Sequence, residues 1–74
     1  HAHPPFGYAY LQGQLVIEPR EHEILLLIER LASQDLNPNL IAGHLNKNSL
    51  KPRRADLWTR NSVVLILKRI GSKN

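Results

Sequence analysis

The chain of 74 residues predicts a mostly α domain, an N-terminal β-hairpin followed by three helices in a helix-turn-helix-like arrangement. Three observations carry that expectation. Apolar residues recur at helical spacing in three segments. Each segment opens on residues suited to a helix start, Glu18-Pro19, Asn37-Pro38 and Thr59. Two β-prone runs flank Gln12-Gly13 near the N-terminus. A chain of this length makes one domain and buries only about 60% of its unfolded surface, so each large apolar side chain matters.

Residues 1–7 read as a leader, because Pro4-Pro5 favours extended backbone and Gly7 frees it to turn. The hairpin is expected over 8–17, although Gln-Gly is a weaker turn signal than Asn-Gly. An isolated hairpin is only marginally stable, so its apolar face is expected to pack on the helices.

Helix one is expected over about 19–34, with Glu18, Glu21 and Glu23 near its positive end. Ile24, Leu27, Ile28 and Leu31 should face the core, and the hairpin should cover Leu25 and Leu26. Asp35-Leu36 breaks the period. Helix two follows over about 38–48, with Leu40, Ile41 and Leu45 inward. Gly43 within it costs about 1 kcal/mol relative to Ala, which a close helix contact would offset. Residues 49–57 form a loop, stopped by Lys51-Pro52. Thr59 caps helix three, expected over about 60–70, with Val63, Ile66, Leu67 and Ile70 inward. Val64 and Leu65 lie off that stripe, and Gly71 is placed to end the helix before a tail over 71–74.

Without cysteine the chain has neither disulfides nor thiolate metal sites, which fits a reducing, cytoplasmic compartment. The apolar run 24–28 is far too short to span a bilayer, and no signal-peptide pattern precedes it, so no membrane partner is expected. The chain opens at His1 and lacks methionine, which suggests a domain cut from something longer.

Charge is distributed unevenly. From residue 47 onward, eight cations (Lys47, Lys51, Arg53, Arg54, Arg60, Lys68, Arg69, Lys73) face one acid, Asp56, giving +7. The first 46 residues hold Arg20 and Arg30 against Glu18, Glu21, Glu23, Glu29 and Asp35, giving −3 and a net +4. One face is therefore expected to meet a polyanion, with double-stranded DNA the first candidate.

Two short helices joined by a basic loop, the second capped and cationic, follow the logic of DNA reading by a helix in the major groove. Thr59, Arg60, Asn61 and Ser62 form the expected reading turn, since Arg pairs with guanine, Asn with adenine, and Ser or Thr with either base or phosphate. Lys51, Arg53 and Arg54 would hold flanking phosphates, and Lys68 and Arg69 would follow the backbone at the far end. Each piece also has an ordinary use. Thr59 caps any helix, Lys68 and Arg69 suit any helix C-terminus, and basic loops are common.

Catalysis has little support. His1 and His3 have metal-binding spacing but stand on the leader, where disorder is expected. His22 and His44 are isolated on helices, and Ser33, Ser49, Ser62 and Ser72 lack a companion motif. No glycine-rich phosphate loop is present, and no cofactor or metal is expected. Trp58 precedes the cap Thr59 and reads as a hydrophobic staple near Val63 rather than a base-stacking ring.

Five segments in order, from Pro4-Pro5-Phe6-Gly7-Tyr8 through Trp58-Thr59-Arg60-Asn61-Ser62-Val63 and on to about Lys68, together resemble the recombinase domain of large serine recombinases of the resolvase/invertase family. Pro4-Pro5-Phe6-Gly7-Tyr8 is similar to that domain's opening, and Gly13-Gln14-Leu15-Val16-Ile17-Glu18-Pro19 to the stretch leading into its Glu-rich helix. Leu40-Ile41-Ala42-Gly43-His44-Leu45-Asn46, the basic loop Ser49-Leu50-Lys51-Pro52-Arg53-Arg54, and Trp58-Thr59-Arg60-Asn61-Ser62-Val63 with Ile66-Leu67 follow in the family's order. Ser49 stands where glycine is common, and Val64 and Leu65 where small or basic residues are usual.

The resemblance implies a DNA-binding domain that positions a separate, covalently linked resolvase-type catalytic domain carrying the nucleophilic serine. It also implies a parent enzyme, from a bacterium, phage or other mobile element, that works as a homo-oligomer. The fragment itself would not be an enzyme. Two alternatives share these residues, an interdomain docking module built on Val64, Leu65, Leu25 and Leu26, and a winged-helix-type transcription regulator.

Overall fold

The computed structural model describes residues 3–71. Two antiparallel strands, β1 (Tyr8–Leu11) and β2 (Gln14–Ile17), precede three helices, α1 (Pro19–Ser33), α2 (Pro38–Lys47) and α3 (Arg60–Arg69). The chain is thus mostly α with an N-terminal hairpin, as its pattern predicts. The strands pair Tyr8 with Ile17, Ala9 with Val16, Tyr10 with Leu15 and Leu11 with Gln14. Gln12 and Gly13 connect them with φ of 52° and 80°, the positive pair that a two-residue type I′ turn requires.

Each helix begins on a side-chain cap. Glu18 accepts from the backbone N–H groups of Arg20 and Glu21 at 3.2 and 3.0 Å. Asn37 accepts from Leu40 N–H at 3.0 Å, with Pro38 opening α2. The ends of α1 and α2 share one device. Asp35 and Ser49 take φ of 66° and 58°. Leu36 N–H then reaches back to Leu31 C=O at 3.3 Å, and Leu50 N–H to Leu45 C=O at 3.0 Å. These are Schellman closures, in which the apolar residue just past the turn folds onto the helix it ends. Leu36 and Leu50 accordingly rest against the core.

The core joins Ile24, Leu25, Ile28, Leu31 and Ala32 of α1 to Ile41, Ala42 and Leu45 of α2, and to Trp58, Val63, Ile66 and Leu67. Four expectations shift. Leu25 is buried and Leu27 only half-buried, because the turn at Gly7 lies on Leu25. Gly7 has φ of 99°, and a Cβ there would stand 3.0 Å from Leu25 Cδ2. Leu40 faces solvent, and Ala42 takes the inward position on α2. Gly43 has open space around it, so no close helix contact offsets its cost. The hairpin touches the helices only near its base, leaving Tyr10, Leu15, Ile17 and Leu26 exposed.

The leader also departs from expectation. From Pro4 onward it belongs to the domain. Pro5 C=O accepts from Tyr8 N–H at 3.1 Å, Gly7 N–H donates to Glu21 Oε1 at 3.1 Å, and Phe6 packs on the core. His1, Ser72, Lys73 and the rest of the expected tail past Gly71 lie outside the described residues.

Candidate nucleic-acid interface

The segment 48–59 crosses from α2 to α3 without regular structure, a longer link than the turn of a minimal helix-turn-helix. Asn46 closes this gap. Its side-chain amide donates to Trp58 C=O at 2.9 Å and accepts from Trp58 N–H at 2.8 Å. One side chain from the last turn of α2 therefore satisfies both backbone groups of the residue that launches α3. Trp58 is buried at 4% exposure, with its ring edge-on to Phe6 at 5.3 Å. It is a core residue and is not placed to stack on a base. Its indole N–H is buried without a hydrogen-bond partner among the described residues.

Thr59 and Ser62 form a reciprocal capping box. Ser62 N–H donates to Thr59 Oγ1 at 3.2 Å, and Thr59 N–H donates to Ser62 Oγ at 2.9 Å. Ser62 Oγ also donates to Thr59 C=O at 2.9 Å. Both hydroxyls, expected among the DNA contacts, thus serve the helix start. Arg60 and Asn61 are exposed in the same turn, and neither side chain has an ion-pair or hydrogen-bond partner among the described residues.

In the preceding loop, Arg53 differs most from its expected role as a phosphate contact. Its Nε donates to Glu21 Oε2 at 2.9 Å, and its terminal nitrogens reach Pro4 C=O at 2.6 Å and the Pro5 and Tyr8 carbonyls at 3.1 Å. A second contact to Glu21 Oε1 completes a bidentate ion pair. The guanidinium carbon also lies 5.9 Å from the Phe6 ring centroid. The Arg53 hydrogen bonds hold the Glu21 carboxyl below its ordinary pKa, against the opposing effect of burial, with help from Gly7 N–H. Arg53 is therefore a strut between loop, leader, β1 and α1. Lys51 donates to Asp56 C=O at 3.2 Å, bracing the loop while staying exposed. Arg54 is exposed and has no such tie among the described residues.

Val63, Ile66 and Leu67 turn α3 inward, so helical spacing places Asn61, Leu65 and Lys68 on the outer face, and all three are exposed. Arg69 flanks that face, while Arg60, at the helix start, lies three residues before Val63 on the other side, and both are exposed. On one side Arg69, Leu65 and Ser62 border a groove whose other wall carries Pro4, Pro52 and Arg54. The fold therefore brings Arg54, Arg69 and the outer face of α3 together, while Arg53, at the same groove, is tied to the scaffold.

The tertiary roles of Asn46, Glu21 and Phe6 leave no single-residue pattern in the sequence. The proline-aromatic-glycine opening and the Leu45-Asn46 pair were visible, but their partners lie far off in sequence, at positions 53 and 58. Among the described residues, no group of three His, Asp or Glu side chains is arranged to hold a metal ion, and no helix is long and apolar enough to cross a membrane. Comparison of the chain with protein-family models, curated proteins and solved structures found no match.

Proposed function

We propose that the chain is a duplex-DNA-binding domain with α3 as its reading helix, and that it belongs to a site-specific serine recombinase whose separate catalytic domain it positions. The observation that carries this reading is the outer face of α3. Asn61 and Lys68 are exposed there, with Arg69 at its flank and Arg60 at the helix start, all without partners among the described residues, on a helix whose own capping is already satisfied. A helix of ten residues is about 15 Å long, the span of roughly four base pairs at about 3.4 Å each. Arg60 and Asn61 at its start offer bidentate donors for guanine and adenine edges. Arg54, Lys68 and Arg69 then meet phosphates, with Lys51 beside them. The serine-recombinase assignment rests on the order of motifs from Pro4 to Lys68, and the parent's catalysis and oligomerisation belong to that assignment.

Titration of the domain with duplex DNA across a salt series tests the contact surface. Three to four neutralised phosphates give a slope of log affinity against log salt near −3. Affinity independent of salt would contradict the reading. The docking alternative draws on Leu26 and Leu65, exposed at 49% and 67%, and it predicts no duplex binding even at low salt.

A further inference from the structure

Leu65 is the most exposed large apolar side chain among the described residues, at 67%. Single exposed leucines are ordinary on protein surfaces, and exposure alone assigns nothing. Its surroundings are less ordinary. Asn61 lies one turn before it and Lys68 one turn after it on the outer face of α3, while Arg54 and Arg69 border the adjoining groove. A partner that covers this face must carry negative charge at its edges and an apolar group at its centre. The major groove supplies both where thymine occurs, with phosphates along the rims and the thymine 5-methyl projecting from the floor.

We propose that Leu65 is a specificity-determining residue that selects thymine by contact with its 5-methyl group, and that Asn61 selects adenine beside it. The inference rests on the DNA-binding reading and adds the base class that the reading helix prefers. Four residues along a helix rise about 6 Å, against about 3.4 Å per base step. Asn61 and Leu65 therefore address base pairs one or two steps apart, which makes an A·T-containing step the expected centre of the preferred site. Arg60, at the start of the helix, is left to read a guanine outside that step.

Deoxyuridine provides the test, because it pairs as thymine does and lacks only the methyl group. A preferred duplex is first selected from a randomised pool with the full chain, and each thymine is then replaced singly by deoxyuridine. The wild-type protein is expected to lose about fourfold in affinity at one or two positions, the worth of one buried methyl. Leu65→Ala is expected to bind more weakly and to lose all sensitivity at those positions. Its exposed site makes folding safe, and a thermal melt confirms it. Asn61→Ala should relax preference at the neighbouring adenine only. Binding that ignores the methyl at every position, or a Leu65→Ala variant that remains as sensitive as wild type, overturns this inference and leaves the DNA-binding reading intact. Absence of binding to any duplex at low salt overturns both.

Discussion

Arg53 directs its guanidinium at Glu21 and at the Pro4, Pro5 and Tyr8 carbonyls, whereas Arg54 beside it faces solvent with no ion-pair partner among the described residues. Equal formal charge at neighbouring positions therefore leads to different effects on substitution. Arg53→Ala removes several charge-assisted hydrogen bonds at a partly exposed site. It should lower stability by about 2 kcal/mol, a fall in melting temperature on the order of 10 °C for a domain of this size. Arg53→Lys should restore little, because a single ammonium cannot reproduce the planar fork. Arg54→Ala should leave the melt within about 0.5 kcal/mol of wild type and weaken binding to all duplexes alike. A stable Arg53→Ala variant with impaired binding would reverse these assignments.

At the scale of elements, helix starts and ends are the best-determined features, because their chemistry is local. Pro19, Asn37-Pro38 and Thr59 mark the three starts; Asn37 and Thr59 cap as their residue types suggest, and Glu18, expected only to favour the positive end of α1, caps it as well. The αL residues at the ends of α1 and α2 are less legible, since Asp35 and Ser49 replace the usual glycine. Ser49 holds φ of 58° without the freedom of glycine, so Ser49→Gly should stabilise the domain by about 1 kcal/mol, read as a raised urea midpoint at unchanged slope. A lowered midpoint would mean that the serine side chain stabilises this turn. Within Ile24-Leu25-Leu26-Leu27-Ile28 the apolar run is continuous, and periodicity alone cannot choose which leucine is buried. The choice of Leu25 comes from the leader, whose turn at Gly7 sits on that side of α1 and whose carbonyls are held by Arg53. Such long-range ties leave no periodic trace in the sequence.

Across the whole molecule, the split between an acidic first part and a basic last part does not become two separate faces. Glu21 crosses from the acidic part to neutralise Arg53, which leaves Lys47, Lys51, Arg54, Arg60, Lys68 and Arg69 as the exposed cations of the basic part among the described residues. The hairpin contacts α1 through β1 and presents Tyr10, Leu15 and Ile17 to solvent. The proposed interface thus involves α3 and its preceding loop, with Asn46 and Arg53 fixing both from behind. Backbone amide shifts followed by NMR during titration with duplex DNA at low salt test this claim most directly. Shifts are expected to concentrate at Arg54, Arg60, Asn61, Leu65, Lys68 and Arg69, with Tyr10, Leu15 and the core of α1 unchanged. Shifts confined to the hairpin and α1, or none at saturating DNA, would contradict it.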